Sequence, residues 1–234
     1  TPMPPLPRPA PSKDDVDRAV DLISAAKRPL IIAGTGSFKS EAGPILRQII
    51  KDFSMVIATN FQGRGLVPED DVTGWGWPLA QFAAKDADLI ICAGARMGKK
   101  YGYGLSPRFP ASQKMIQIDV ESEEISRNRV VDVGMVADSR TALEAIHAAL
   151  VECKTKPFDP SWIKESLAER LAIIEKSGHE EEYIHPFRLA REVQERLPDN
   201  AIFIQDGAFI LVRSWAVTRY HTPGAYMDIM PLGS

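Results

Sequence analysis

The chain has 234 residues, of which 44% are hydrophobic and 25% charged, with a formal net charge of −3. That is the balance of a globular chain long enough for one or two cored domains. It excludes the basic face that nucleic-acid binding requires, and no apolar run reaches the roughly eighteen residues needed to cross a bilayer.

Taken in chain order, residues 1–12 ("TPMPPLPRPAPS") read as an extended interdomain linker, because repeated proline favours polyproline II over helix. A linker at this point implies polypeptide upstream. No signal-peptide pattern is present. Ser12 is a candidate cap for a helix carrying Val16, Ala19, Val20, Ile23 and Ala26 at helical spacing, and Pro29 ends it. An alternation then sets in: strand 29–36, helix 41–53, strand 55–60, a weak helix near 79–85, strand 87–95, strand 114–120, a small strand 132–138 and a helix from Ser139. The strands are apolar on both faces, as when helices cover both sides of a parallel sheet. Residues 13–153 are therefore predicted to form a doubly wound, Rossmann-like α/β domain. Residues 154–184 read as a linker with one charged helix. Residues 185–234 then open a second, incomplete α/β unit: a helix with Pro186 in its first turn, strand "AIFI" and helix "FILVRSWAVTRYH".

The motifs sit at strand ends. "GTGSFKS" follows the first strand, yet position 39 is Lys39 where a dinucleotide fingerprint needs glycine, and the second strand ends at Asn60 without the ribose-binding acid. Hydride-transfer chemistry is disfavoured; a plain glycine turn and a nucleotide held in another manner both stay open. Arg96 follows the third long strand, where open α/β sheets take ligands and where a guanidinium suits a pyrophosphate; a surface arginine in a loop is the alternative. Asp119 and Asp138 end two further strands and are read either as nucleotide contacts or as helix caps. Gly207 turns a strand into a helix whose start attracts anions, whereas Arg213 and Trp215 read as packing residues. Cys92 lies in an apolar strand as a buried thiol, and with Cys153 it makes no disulfide framework. Four histidines have no metal-ligand spacing. Free thiols imply a cytoplasmic setting. No paired carboxylates, nucleophile elbow or Cys–His couple supports catalysis within the chain.

"RPLIIAGTGS", "GRGLVPEDD", "ADLIICAGAR", "IQIDVESEEISRN" and "VADSRTALEAI" occur in this order. Together they resemble the central domain of thiamine-diphosphate-dependent enzymes, the group of acetolactate synthase, 2-hydroxyacyl-CoA lyase, oxalyl-CoA decarboxylase and benzaldehyde lyase. "HPFRLAREVQERLP", "QDGA" and "PLGS" resemble the start of the family's diphosphate-binding domain. The resemblance implies a lyase, carboligase or decarboxylase acting on 2-keto or 2-hydroxy acyl compounds with thiamine diphosphate and Mg²⁺. It places Asp206, Gly207, Ala208, Gly233 and Ser234 near thiamine diphosphate. In relatives that bind FAD or ADP, the positions matching Gly34, Gly36, Arg96, Asp119 and Asp138 contact the nucleotide, while benzaldehyde lyase-like members lack it. "GARMGKKYGYG" departs from the arginine loop of the CoA enzymes.

The activating glutamate and the Mg²⁺-binding segment would lie outside this chain, so no catalytic or metal residue is expected in it and the chain alone is expected to be inactive. The implied partners are the pyrimidine-binding domain, the rest of the diphosphate-binding domain, a second or further copies in a homodimer or homotetramer, and a small-molecule substrate, with no nucleic acid or membrane. The rival reading is a non-catalytic FAD/ADP-binding regulatory or structural module on the same sheet.

Overall fold

The computed structural model describes residues 7–178, 184–198, 200–205 and 208–228. Ser12 caps the first helix, α1 (Lys13–Ala25), by accepting from the Asp15 N–H. Next come strand β1 (Pro29–Ala33), a short helix α2 (Thr35–Lys39), helix α3 (Gly43–Phe53) and strand β2 (Val56–Thr59). A three-residue strand, β3 (Gly74–Gly76), runs into the single turn α4 (Trp77–Ala80). Strands β4 (Leu89–Ala93), β5 (Lys114–Asp119) and β6 (Val133–Val136) precede helix α5 (Ser139–Glu152).

These six strands form one parallel sheet in the order β3-β2-β1-β4-β5-β6. The order reverses at β1, so the crevice at its carboxyl end is the ordinary ligand position of such a sheet. Alternate residues of each strand point to opposite faces. Ile31, Ile57, Ile91, Ile116 and Ile118 pack with α1, α3 and α5. Leu30, Ile32, Val56, Ala58, Ile90 and Cys92 face the other way. The doubly wound α/β class expected for 13–153 is what the structure shows.

That second face is covered by a part of the chain expected to be linker. The described part of residues 154–184 contains two helices, α6 (Ser161–Ser166) and α7 (Ala168–Gly178), where the sequence suggested one. Trp162, Ile163, Leu167 and Ile174 from them are buried in the same cluster as Leu30 and Ile90. The charge that made the segment look solvated sits on its outer side. Phe187 and Ala190 of helix α8 (Pro186–Glu195) join this layer.

The remaining elements are strand β7 (Phe203–Gln205), helix α9 (Ala208–Val217) and strand β8 (Tyr226–Asp228). β7 and β8 pair in parallel as a separate two-stranded sheet. Trp215, Tyr220 and Tyr226 form its small core against Phe203. Neither β3 nor β8 was predicted; each is three residues long. The outer side of the small sheet is bare: Ile202 and Ile204 are 61% and 67% exposed, with Met227 beside them.

Candidate functional site

The carboxyl ends of β1 and β4 are closed by contact between their own loops. Gly36 donates to the Gly94 carbonyl at 2.8 Å, and Gly34 to Ala93 at 3.1 Å. A Cβ on Gly34 would meet Gly94 O at 2.6 Å, and one on Gly36 would meet Gly94 Cα at 2.7 Å. Gly94 itself sits at φ +54°, facing the Ser37 N–H and Ser139 Oγ. The glycines allow two loops to touch.

Asp138 caps α5, accepting from the N–H groups of Arg140 and Thr141. Its own N–H donates to the Pro9 carbonyl at 2.8 Å, and Arg8 lies 3.7 Å from its carboxylate. Arg8 and Pro9 thus lie against this strand end. Asp119 ends β5 and accepts from the Glu121 N–H at 3.0 Å. Burial pushes its carboxyl above the usual range, against the pull of that N–H and of Arg96. Arg96 is largely exposed and pairs weakly with Glu124, at 3.9 Å. Of the five residues that resemblance associates with a nucleotide, Arg96 borders the open space, Asp119 is buried at the end of β5, and Gly34, Gly36 and Asp138 are engaged in packing and capping.

The open space lies at the carboxyl ends of β2, β3 and β4, under α9. A cavity of about 700 Å³ is lined by Asn60 and Phe61 after β2, by Trp77 after β3, by Arg96 and residues 98–101 after β4, and by Trp215 and Ala216 of α9. Six cations border it: Arg96, Lys99, Lys100, Arg108, Arg170 and Arg213. No carboxylate is among its described lining residues. Its volume falls in the range of small-molecule sites, roughly 300–1,000 Å³.

Its aromatic walls hold the cations in place. Lys100 Nζ lies 4.9 Å from the centre of the Trp215 ring, Arg170 lies 4.3 Å from Phe82, and Arg213 lies 5.5 Å from Phe187. The floor is polar at two points. Asn60 donates to the Tyr101 hydroxyl at 3.1 Å, and burial raises that phenol well above its ordinary value. Trp77 is buried, and its indole N–H has no hydrogen-bond partner among the described residues. Such a cavity can take an anionic molecule with an apolar body and an acceptor at its inner end. Sequence reasoning missed Trp77, Tyr101 and Asn60; it read Arg213 and Trp215 as packing residues, and they pack here against Phe187 and within the small core while also lining the cavity. The available signal was "GWGWP", two tryptophans with no helical or strand period beside a strand end.

Asp206, Gly207, Gly233 and Ser234 lie outside the described residues. Ala208 begins α9, three positions after β7 ends. The first backbone N–H groups of a ten-residue helix have no partner within it, and this donor set suits a diphosphate. Among the described residues no cluster of His, Cys, Asp or Glu has the makings of a metal site. Nor is any described helix long and apolar enough to cross a membrane.

A parallel sheet with a cavity at its strand ends, followed by a further strand and helix, defines an α/β protein of the kind that takes small molecules at the carboxyl ends of its strands. The family profile described as "Thiamine pyrophosphate enzyme, central domain" matches residues 16–146, and the chain belongs to that family. Among curated relatives, 2-hydroxyacyl-CoA lyase 1 of Mus musculus is 28% identical over 198 residues, covering 81% of this chain and 33% of its own length. Glyoxylate carboligase of Escherichia coli O157:H7 is 23% identical, covering 86% of this chain and 36% of its own length. An acetolactate synthase large subunit of Mycobacterium tuberculosis is 26% identical, covering 96% and 40%. The chain thus spans between a third and two fifths of the length of these relatives.

Proposed function

We propose that the chain is the central domain and the opening of the diphosphate-binding domain of a thiamine-diphosphate-dependent lyase, carboligase or decarboxylase. Its substrates are 2-keto or 2-hydroxy acyl compounds. Membership of the family supports the cofactor class; relatives named as lyase, carboligase and synthase support carbon–carbon bond chemistry. The observation that carries the substrate class is the set of six cations bordering the cavity. They favour an anion and hold it against an apolar wall.

When bound, thiamine diphosphate supplies an electron sink beside a carbonyl. The residues of this chain do the rest of what can be ascribed to it. The start of α9, with Asp206 and Gly207 before it and Gly233 and Ser234 further on, would hold the diphosphate end. Arg96 and its neighbouring cations would orient the anionic group, and the aromatic walls would exclude water. Mg²⁺ would take its ligands from outside the chain.

FAD or ADP is retained as a ligand for Arg96 and Asp119. We place the remaining polypeptide of the enzyme on the bare face around Ile202 and Ile204, in a homodimeric or homotetrameric assembly. The two free thiols support a cytoplasmic setting.

Calorimetric titration with a 2-keto acid, and separately with ADP, at two salt concentrations tests the cavity. Binding that weakens with salt is expected. Arg96→Ala should weaken it by roughly 1.5–3 kcal/mol, the strength of a charged hydrogen bond. Absence of binding by every anion would overturn the substrate reading. The chain alone should show no carboligation with thiamine diphosphate and Mg²⁺; turnover by it would contradict the division of labour.

A further inference from the structure

The loop between β2 and β3 carries a buried ion pair that the cavity does not use. Arg64 and Glu69 are each 1% exposed, and Glu69 takes the guanidinium with both oxygens, at 2.9 and 2.5 Å. Glu69 also accepts from Thr59 Oγ1 at 2.9 Å, which ties the pair to the end of β2. Gly76 leaves room for it: a Cβ there would meet Arg64 Nη2 at 2.6 Å. Burial works against the charge of Arg64, yet the adjoining Glu69 outweighs it and holds the guanidinium pKa above its ordinary value.

The rest of the guanidinium is directed at the second unit. It donates to the carbonyls of Trp215 at 3.4 Å and Thr218 at 2.8 Å, at the end of α9. It lies 4.6 Å from the centre of the Tyr220 ring and 5.2 Å from that of Tyr226 in β8. Glu69 completes the join: its N–H donates to the Tyr220 carbonyl, and its carboxylate accepts from the Tyr220 N–H. Arg219, anchored on Asp71 at 2.7 Å, donates to the Ala216 carbonyl beside them. The last carbonyls of a helix lack partners within it and carry partial negative charge. Here a loop of the central domain supplies those partners.

We propose that Arg64 is a positioning residue: with Glu69 it caps α9 from the central domain and so sets the direction of that helix. A helix of ten residues is a rod of about 15 Å, so fixing its last turn aims its first. That first turn begins at Ala208, the diphosphate end in the function proposed above. The purpose of the device rests on that reading; its geometry does not.

The test uses the full chain without cofactor. Replacing both partners by methionine removes the charges while keeping apolar volume, a change that commonly leaves stability intact. Hydrogen exchange in Arg64→Met/Glu69→Met should show protection in α9, β7 and β8 reduced by at least an order of magnitude, while β1, β4 and β5 keep theirs. Arg64→Lys retains charge without the fork and should show the same selective loss. It carries the test by itself if the double variant does not fold.

Unchanged protection in α9 would overturn the inference, as would loss spread evenly over both units. Failure of every tested anion to bind the cavity of the unaltered chain would overturn the functional reading alone.

Discussion

At the scale of single residues, the two thiols make contrasting predictions. Cys92 is buried in β4, its thiol donates to the Ala95 carbonyl, and burial pushes its pKa up to about 12. Cys153 is exposed. A thiolate-seeking reagent at neutral pH should therefore label one site in the native chain and two in denaturant, counted by mass. Asp119 offers a test by pH. Its folded pKa is raised chiefly by burial, so the stability it contributes is complete below the unfolded carboxylate value of about 4 and is lost as pH rises through the folded value. Asp119→Asn, which keeps an oxygen for the Glu121 N–H, should be more stable than the parent at pH 7 in urea unfolding. That advantage should vanish below about pH 4.

Residue types were legible where chemistry is local: Ser12 as a cap and Cys92 as a core thiol follow from neighbours in sequence. Trp77, Asn60 and Tyr101 were not, because they meet only when β2, β3 and β4 align.

At the scale of elements, long apolar strands and amphipathic helices were read correctly because their periods persist for several residues. β3 and β8 were too short to show a period. The glycines after β1 were legible as a turn, but their reason for being glycine lies across the sheet, at Gly94. Gly94→Ala combines a left-handed backbone with contact on Ser37 and Ser139. The conformation alone should cost roughly 1–2 kcal/mol, and the contacts add to it. Urea unfolding would measure this, and a substitution without effect would show that the two loops can part.

At the scale of the molecule, the class of fold was legible from alternation, whereas the role of residues 154–184 was not. Their charges are plain in sequence, but Trp162 and Ile163 are known as core residues only from the face they cover. In the small sheet, by contrast, Ile202 and Ile204 stand exposed. A bare apolar face favours association. Light scattering should show the chain assembling as concentration rises, with Ile202→Ser/Ile204→Ser reducing that tendency.

The cavity has one wall on the sheet and the other on α9. A guest that grips both walls is also a rivet. Its binding free energy belongs to neither half alone, so saturation should make the two halves melt together at a higher temperature. The rate of its departure would then report how often the halves gape.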